Sequence, residues 1–159
     1  MKLRRTLRIG AATLLLLFVV AQFVRRPSRE NPPVAPGRIL QAHVQVPPDV
    51  DAILRRACND CHSHETRWPP YARVAPVSWL VARDVHGARA DLNFSEWGTD
   101  PVIEPTPAQR LGGICSDLRK GIMPPREYLF MHPSARVSAE DVERVCQWTV
   151  AARQGLPSP

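Results

Sequence analysis

Apolar residues recur at helical intervals in four stretches of the chain. After Asp49 they occupy positions i, i+3, i+4 and i+7, a spacing that predicts an amphipathic helix capped by the Asp49 side chain. Three further helices are predicted, over residues 77–88, 106–121 and 138–155, and the last two begin with capping-box sequences. These patterns predict a small all-α domain over residues 49–154, followed by a short flexible tail at 155–159.

The N-terminal segment has a different pattern. Residues 1–8 carry four positive charges, and residues 9–24 are predominantly apolar. A basic segment before an apolar run is typical of a secretory signal or a signal anchor. We interpret residues 1–24 as an uncleaved signal anchor, with a cleaved signal peptide as the alternative. Because the basic end should stay in the cytoplasm, the domain is expected on the periplasmic side of the inner membrane.

Residues 25–48 contain six prolines and show no apolar period. Proline favours extended backbone and interrupts helices, so this stretch is predicted to be a tether between the anchor and the domain.

The net charge of +6 raises the question of a nucleic-acid partner. The charge is confined to one end, however. Residues 1–30 hold seven Lys or Arg and one Glu, whereas residues 31–159 hold 14 basic and 14 acidic residues. A phosphate-binding face needs a local excess of positive charge, which the domain lacks. The sequence therefore argues against a nucleic-acid partner.

The pentapeptide at residues 58–62 reads Cys-Asn-Asp-Cys-His. Two cysteines two residues apart, followed at once by a histidine, form the attachment signature for c-type haem. The thiols of Cys58 and Cys61 add to the haem vinyl groups, and His62 becomes an axial ligand of the iron. Two other interpretations are a zinc half-site and a redox dithiol. A zinc site needs two more well-spaced ligands, and a thioredoxin-like dithiol needs a preceding strand; neither is evident.

The segment after the motif contains three prolines and no helix period, which predicts a loop along one edge of the haem. Trp68 and Tyr71 either pack on the porphyrin, with their polar tips toward its propionates, or are ordinary core aromatics. His64 is interpreted as a solvated loop histidine. A backbone carbonyl near Pro76 is the predicted partner of the His62 ring N–H.

Two cysteines remain, Cys115 and Cys146. In an oxidising compartment they would form a disulfide, and the alternative is a pair of buried free thiols. Sequence does not show whether their Cα atoms approach closely enough for a bond.

Several stretches of the chain resemble the bacterial haem-binding domain family of cytochrome c-like monohaem proteins. The stretches are residues 58–63, 67–71, 74–80, 92–97 and 123–125, and the resemblance extends over about residues 45–152. It implies a small cytochrome c-like domain with one covalent haem c, preceded by an N-terminal hydrophobic segment. It also implies single-electron exchange with redox protein partners rather than catalysis.

The likeness to cytochromes c further implies a distal iron ligand in a Met-Pro loop before the last helix. Met123, which precedes Pro124 and Pro125, matches that position. Met131 and His132 are the alternatives, and His132 would give a bis-histidine site of lower potential. An open distal position would indicate a haem-based sensor or a peroxidase-like protein. A haem-free metal-binding or structural adaptor is the alternative from another class.

Overall fold

The computed structural model describes residues 2–24, 27–97 and 105–156. In these residues all regular secondary structure is helical, which confirms the prediction of an all-α fold. The α-helices are α1 (Lys2–Ala21), α2 (Leu40–His43), α3 (Pro48–Ala57), α4 (Asn59–His62), α5 (Val77–Asp91), α6 (Pro107–Arg119), α7 (Arg126–Met131) and α8 (Ala139–Gln154). Short 3₁₀ turns occur at Pro36–Arg38, Pro70–Arg73 and Pro133–Ala135. Residues 157–159 of the predicted tail lie outside the described residues.

The chain divides into two compact units. The first comprises residues 1–30 and 67–87, and the second comprises residues 31–66 and 88–159. Helix α5 contributes its first eleven residues to the first unit and its last turn to the second.

In the first unit, the end of α1 is joined to the turn before α5 through Gln22. The Gln22 amide accepts a bond from the Ala75 N–H at 3.0 Å and donates to the Ala75 carbonyl at 3.2 Å. The Arg29 guanidinium donates to the Ala72 carbonyl at 3.4 Å. No residue of α1 is buried, and its leucines at 14–17 are about two-thirds exposed. Among the described residues, no helix is both long and apolar enough to cross a membrane.

The second unit contains the main hydrophobic core. Its buried members are Leu40, Val44, Val50, Ile53, Leu54, Phe94, Trp97, Leu111, Ile114, Leu118, Val145 and Trp148. Helix α8 packs against both α3 and α6. Ile53 and Leu54 of α3 and Val145 of α8 lie in this core, whereas Val150 of α8 is 54% exposed.

Part of the predicted tether belongs to the domain. Leu40 and Val44 are almost fully buried, and the Leu40 N–H donates to the Phe94 carbonyl at 2.7 Å. The tether prediction is therefore wrong for this stretch. Leu40 begins a helix of only four residues and Val44 follows that helix in extended backbone, so the two do not form a readable apolar period.

The residues at the N-termini of α3, α6 and α8 explain where these helices begin. Both predicted capping boxes are present, pairing Thr106 with Gln109 and Ser138 with Asp141. Helix α3 instead begins at Pro48 with Pro47 at the cap. Asp49 therefore lies in the first turn, where its charge complements the helix dipole, and not at the predicted capping position.

Candidate cofactor site

A cavity of about 330 Å³ lies within the second unit. This volume is in the range of ligand-binding pockets. Its lining residues are Ala57, Cys58, His62, Asp91, Leu92, Phe94, Pro105, Gln109, Arg110, Gly113, Ile114, Asp117, Leu118 and Met123. The cavity therefore brings Met123 together with Cys58 and His62 of the pentapeptide, which lie far from it in the sequence.

Cys58 lies at the break between α3 and α4, and Cys61 lies within α4. Helix α3 ends at Ala57, and the next turn is closed by the His62 N–H, which donates to the Cys58 carbonyl at 2.9 Å. Both cysteines are partly buried and neither is in a disulfide. Burial, reinforced by the neighbouring Cys61, raises the pKa of the Cys58 thiol to about 12, so this group is held as the neutral thiol.

The imidazole of His62 is oriented by the end of α5. Its Nδ1 lies 3.0 Å from the Leu92 carbonyl oxygen and 3.2 Å from that of Ala88. Both partners are acceptors, so Nδ1 carries the proton and donates, which leaves the lone pair on Nε2 for a metal. The prediction of a carbonyl near Pro76 is wrong. Helix α5 runs further than predicted, so the His62 ring meets the carbonyls at its end, where the Ala88 carbonyl also accepts from the Leu92 N–H at 2.8 Å.

Burial lowers the pKa of His62, although the bonds to Leu92 and Ala88 and the charges of Asp91 and Asp117 act in the opposite direction. The neutral imidazole is therefore favoured near pH 7. This is the form in which histidine binds a metal ion.

Met123 reaches the cavity because the chain folds back after α6. Gly121 has a φ of 65°, a left-handed conformation that favours glycine, and the Ile122 N–H then donates to the Asp117 carbonyl at 3.0 Å. Met123 follows directly and is partly buried. Its thioether is thus carried on a closely folded turn.

The two alternative distal ligands are placed differently. Met131 is 53% exposed, and the His132 ring stacks on Tyr128 with centroids 4.2 Å apart. Nδ1 of His132 lies 3.2 Å from the Tyr128 carbonyl oxygen. Neither residue lines the cavity. The geometry therefore favours Met123 as the distal ligand.

His64 is a buried structural residue and not a solvated one. It is 8% exposed, and its Nε2 accepts a bond from the Asn93 amide at 3.0 Å. Its Nδ1 faces the Pro33 carbonyl oxygen at 3.4 Å, and its backbone N–H donates to the Ser95 hydroxyl at 2.9 Å. The prediction of a solvated loop histidine is wrong, because its partners lie about thirty residues away along the chain.

Trp68 and Tyr71 belong to the first unit, where both side chains are partly buried. Their contact with a haem stays a prediction.

Arg89 is a residue near the site that sequence reasoning missed. Its guanidinium donates to the Ser63 carbonyl, to the Thr66 hydroxyl and to the Asn31 amide oxygen, each at 2.8 Å. Burial lowers the pKa of Arg89, while the nearby Cys61 acts in the opposite direction. Arg89 thereby fixes the chain that follows the motif. An isolated arginine on a helix gives no sequence signal for such a role.

The other two cysteines form a disulfide. The Cys115–Cys146 bond joins α6 to α8, with an S–S distance of 2.01 Å and Cα atoms 4.8 Å apart. Among the described residues, no three or more Cys, His, Asp or Glu side chains are grouped so as to hold a metal ion by themselves.

Comparison with family models decides the membership of the chain. The model of the haem-binding domain matches residues 16–151, which is most of the sequence. The chain belongs to the haem-binding domain family. This confirms the family resemblance inferred from the motif. Comparisons with curated proteins and with solved structures gave no match.

The residues of this haem-binding domain fit the cofactor. The His62 imidazole, which donates through Nδ1, and the Met123 thioether line the same cavity as the Cys58 thiol. Gly113 lines it as well, and a Cβ built there would meet no atom within 4 Å. That stretch of α6 thus presents bare backbone to the cavity. Histidine with methionine is one of the axial ligand pairs that hold haem iron.

Proposed function

We propose that the chain binds one haem c covalently through Cys58 and Cys61 and transfers single electrons between protein partners, without acting as an enzyme. His62 is the proximal ligand and Met123 the distal ligand in this proposal. The observation that carries it is the cavity shared by Cys58, His62 and Met123.

Each residue has a defined task in this scheme. A bound haem would supply an iron that cycles between two oxidation states. The carbonyls of Leu92 and Ala88 hold the His62 ring in one orientation and increase its basicity. The Met123 thioether favours the ferrous state, which raises the reduction potential and suits an electron carrier.

We propose further that the N-terminal segment tethers the domain to the periplasmic face of a membrane. The basic residues before an apolar run support the periplasmic orientation. The exposed apolar side chains of α1 support contact of this segment with a membrane. Fractionation of the cells that express the haem protein tests the location: recovery only in the soluble fraction would contradict an uncleaved anchor.

Absorption spectroscopy tests the haem proposal. The full chain is expressed with a c-type haem maturation system, and spectra are recorded oxidised, reduced, and reduced with carbon monoxide. The wild type is compared with Met123→Ala and with the control Met131→Ala, which removes an exposed methionine. We expect the wild type and the control to be low-spin, with the methionine-to-ferric-iron charge-transfer band, and insensitive to carbon monoxide.

The Met123→Ala variant should lose the charge-transfer band and bind carbon monoxide. Ready binding of carbon monoxide by the wild type would instead support the sensor or peroxidase-like alternative. Absence of covalent haem from the wild type would refute the whole proposal and leave the haem-free adaptor.

A further inference from the structure

The charges around the cavity are unevenly distributed. Among its described lining residues, Asp91 and Asp117 are acidic and Arg110 is the only cation. The charges of Asp91 and Asp117 act on His62, which places them at the histidine end of the site. A haem carries two propionate carboxylates. The propionates would be repelled by the two aspartates and attracted to the Arg110 guanidinium. We therefore expect them on the Arg110 side of the cavity.

The Arg110 side chain has unused hydrogen-bonding capacity. Its Nη1 donates to the Trp97 carbonyl at 3.5 Å, which is a long contact. Its Nε is buried and has no partner among the described residues. A buried N–H group without an acceptor is costly, and in native proteins such a group usually meets a ligand, water or another chain atom.

The position of Arg110 is fixed by the start of α6. Its backbone N–H donates to the Thr106 carbonyl at 2.9 Å, and Thr106 is held by the capping box with Gln109. The guanidinium therefore extends from a defined first helical turn. A guanidinium is also planar, with paired donors that match the two oxygens of a carboxylate.

The nearby Trp97 indole N–H is likewise buried without a partner among the described residues. Trp97 does not line the cavity, so the inference is confined to Arg110.

We propose that Arg110 is a positioning residue that binds a haem propionate through its free Nε and adjoining Nη group. This inference rests on the proposed haem function. It assigns Arg110 two effects: it orients the propionate edge of the haem, and its charge offsets that of the propionate carboxylate, whose field acts on the iron.

Potentiometry and resonance Raman spectroscopy on the haem-loaded full chain test this role. Arg110→Gln removes the charge, and Arg110→Lys keeps it but loses the planar fork. Arg119→Gln is the matched control, because Arg119 is on the same helix but is exposed and paired with Glu143 at 3.4 Å. The measured quantities are the midpoint potential and the position of the propionate bending band.

Arg110→Gln should lower the midpoint potential, because loss of a positive charge favours the ferric state. We expect the oxidation equilibrium to change about tenfold, or about 59 mV for one electron, with a shifted propionate band. Arg110→Lys should retain most of the potential but still shift the band. Arg119→Gln should change neither.

An unchanged propionate band in both Arg110 variants, or an equal potential shift in Arg119→Gln, would overturn the inference. If Arg110→Gln does not fold, the propionate band of Arg110→Lys still tests the inference. These outcomes differ from failure of the proposed function, in which the wild type itself would carry no haem.

Discussion

The two cysteine pairs of this chain have opposite chemistry in one compact unit. Cys58 and Cys61 are close in sequence, yet they form no disulfide, and Cys58 lines the cavity. Cys115 and Cys146 are 31 residues apart in sequence but form a disulfide between α6 and α8.

The difference shows that geometry and neighbours, more than sequence separation, decide what a cysteine pair does. Cys58 and Cys61 lie on the turn that ends at His62, and Cys58 borders the cavity. The thiols of Cys115 and Cys146 face each other across packed helices. The first pair therefore suits attachment of a cofactor, whereas the second pair joins α8 to α6, the helix that lines the cavity.

The largest effect is expected when the first pair, Cys58 and Cys61, is replaced. Cys58→Ser/Cys61→Ser should abolish covalent attachment, because a hydroxyl does not replace the thiol that forms the thioether. The measurement is haem retained by the denatured polypeptide, by haem staining of a denaturing gel and by the pyridine haemochrome spectrum. Cys61→Ser alone should retain haem through a single thioether, with a shifted haemochrome band.

The matched control is Cys115→Ser/Cys146→Ser, which also replaces two cysteines but should keep its haem. Equal haem loss in both double variants would mean that the two pairs do not have separate roles.

The second pair should affect stability instead. A disulfide that closes a loop of this length contributes about 3.5–4 kcal/mol in the chain-entropy model. Cys115→Ser/Cys146→Ser should lower the free energy of unfolding by about that amount, measured by urea titration of the haem-loaded protein. The wild type in reductant should approach the variant. If the double variant had the same free energy of unfolding as the oxidised wild type, the disulfide would not be stabilising.

The features that sequence predicted are local. The haem motif occupies five consecutive residues, and each capping box spans four, so both can be read without knowing the fold. The structure contains both boxes, and the family match extends across the motif.

The features that sequence missed depend on packing between distant segments. The carbonyl bonded to His62 is set by where α5 ends, and His64 is buried by partners such as Asn93. Leu40 and Val44 reach the core from a four-residue helix and the extended residue after it, which show no readable apolar period. In each case, a contact that no local pattern encodes decides the outcome.

The smallest effect is expected from the contact between α3, which precedes Cys58, and α8, which carries Cys146. Arg56 on α3 donates to the Asp141 carboxylate on α8 at 2.6 Å. The bond from the Ser138 N–H, together with Arg56, lowers the pKa of Asp141 although burial opposes it. Since the folded pKa lies below the unfolded value of about 3.9, ionised Asp141 stabilises the fold above that pH. This contribution is lost as the pH falls through the folded pKa.

Asp141→Asn should therefore destabilise the haem-loaded protein by about 1 kcal/mol at pH 7, because the ion pair is lost. The difference from wild type should shrink as the pH falls from about 4 toward 2, where the wild-type carboxyl is protonated. Urea titrations of both proteins at several pH values measure this difference in stability. Glu143→Gln is the control, because it removes an exposed carboxylate from the same helix and should have a smaller effect. If the Asp141→Asn difference stayed constant down to pH 2, the ionised carboxylate would not be the source of the stabilisation.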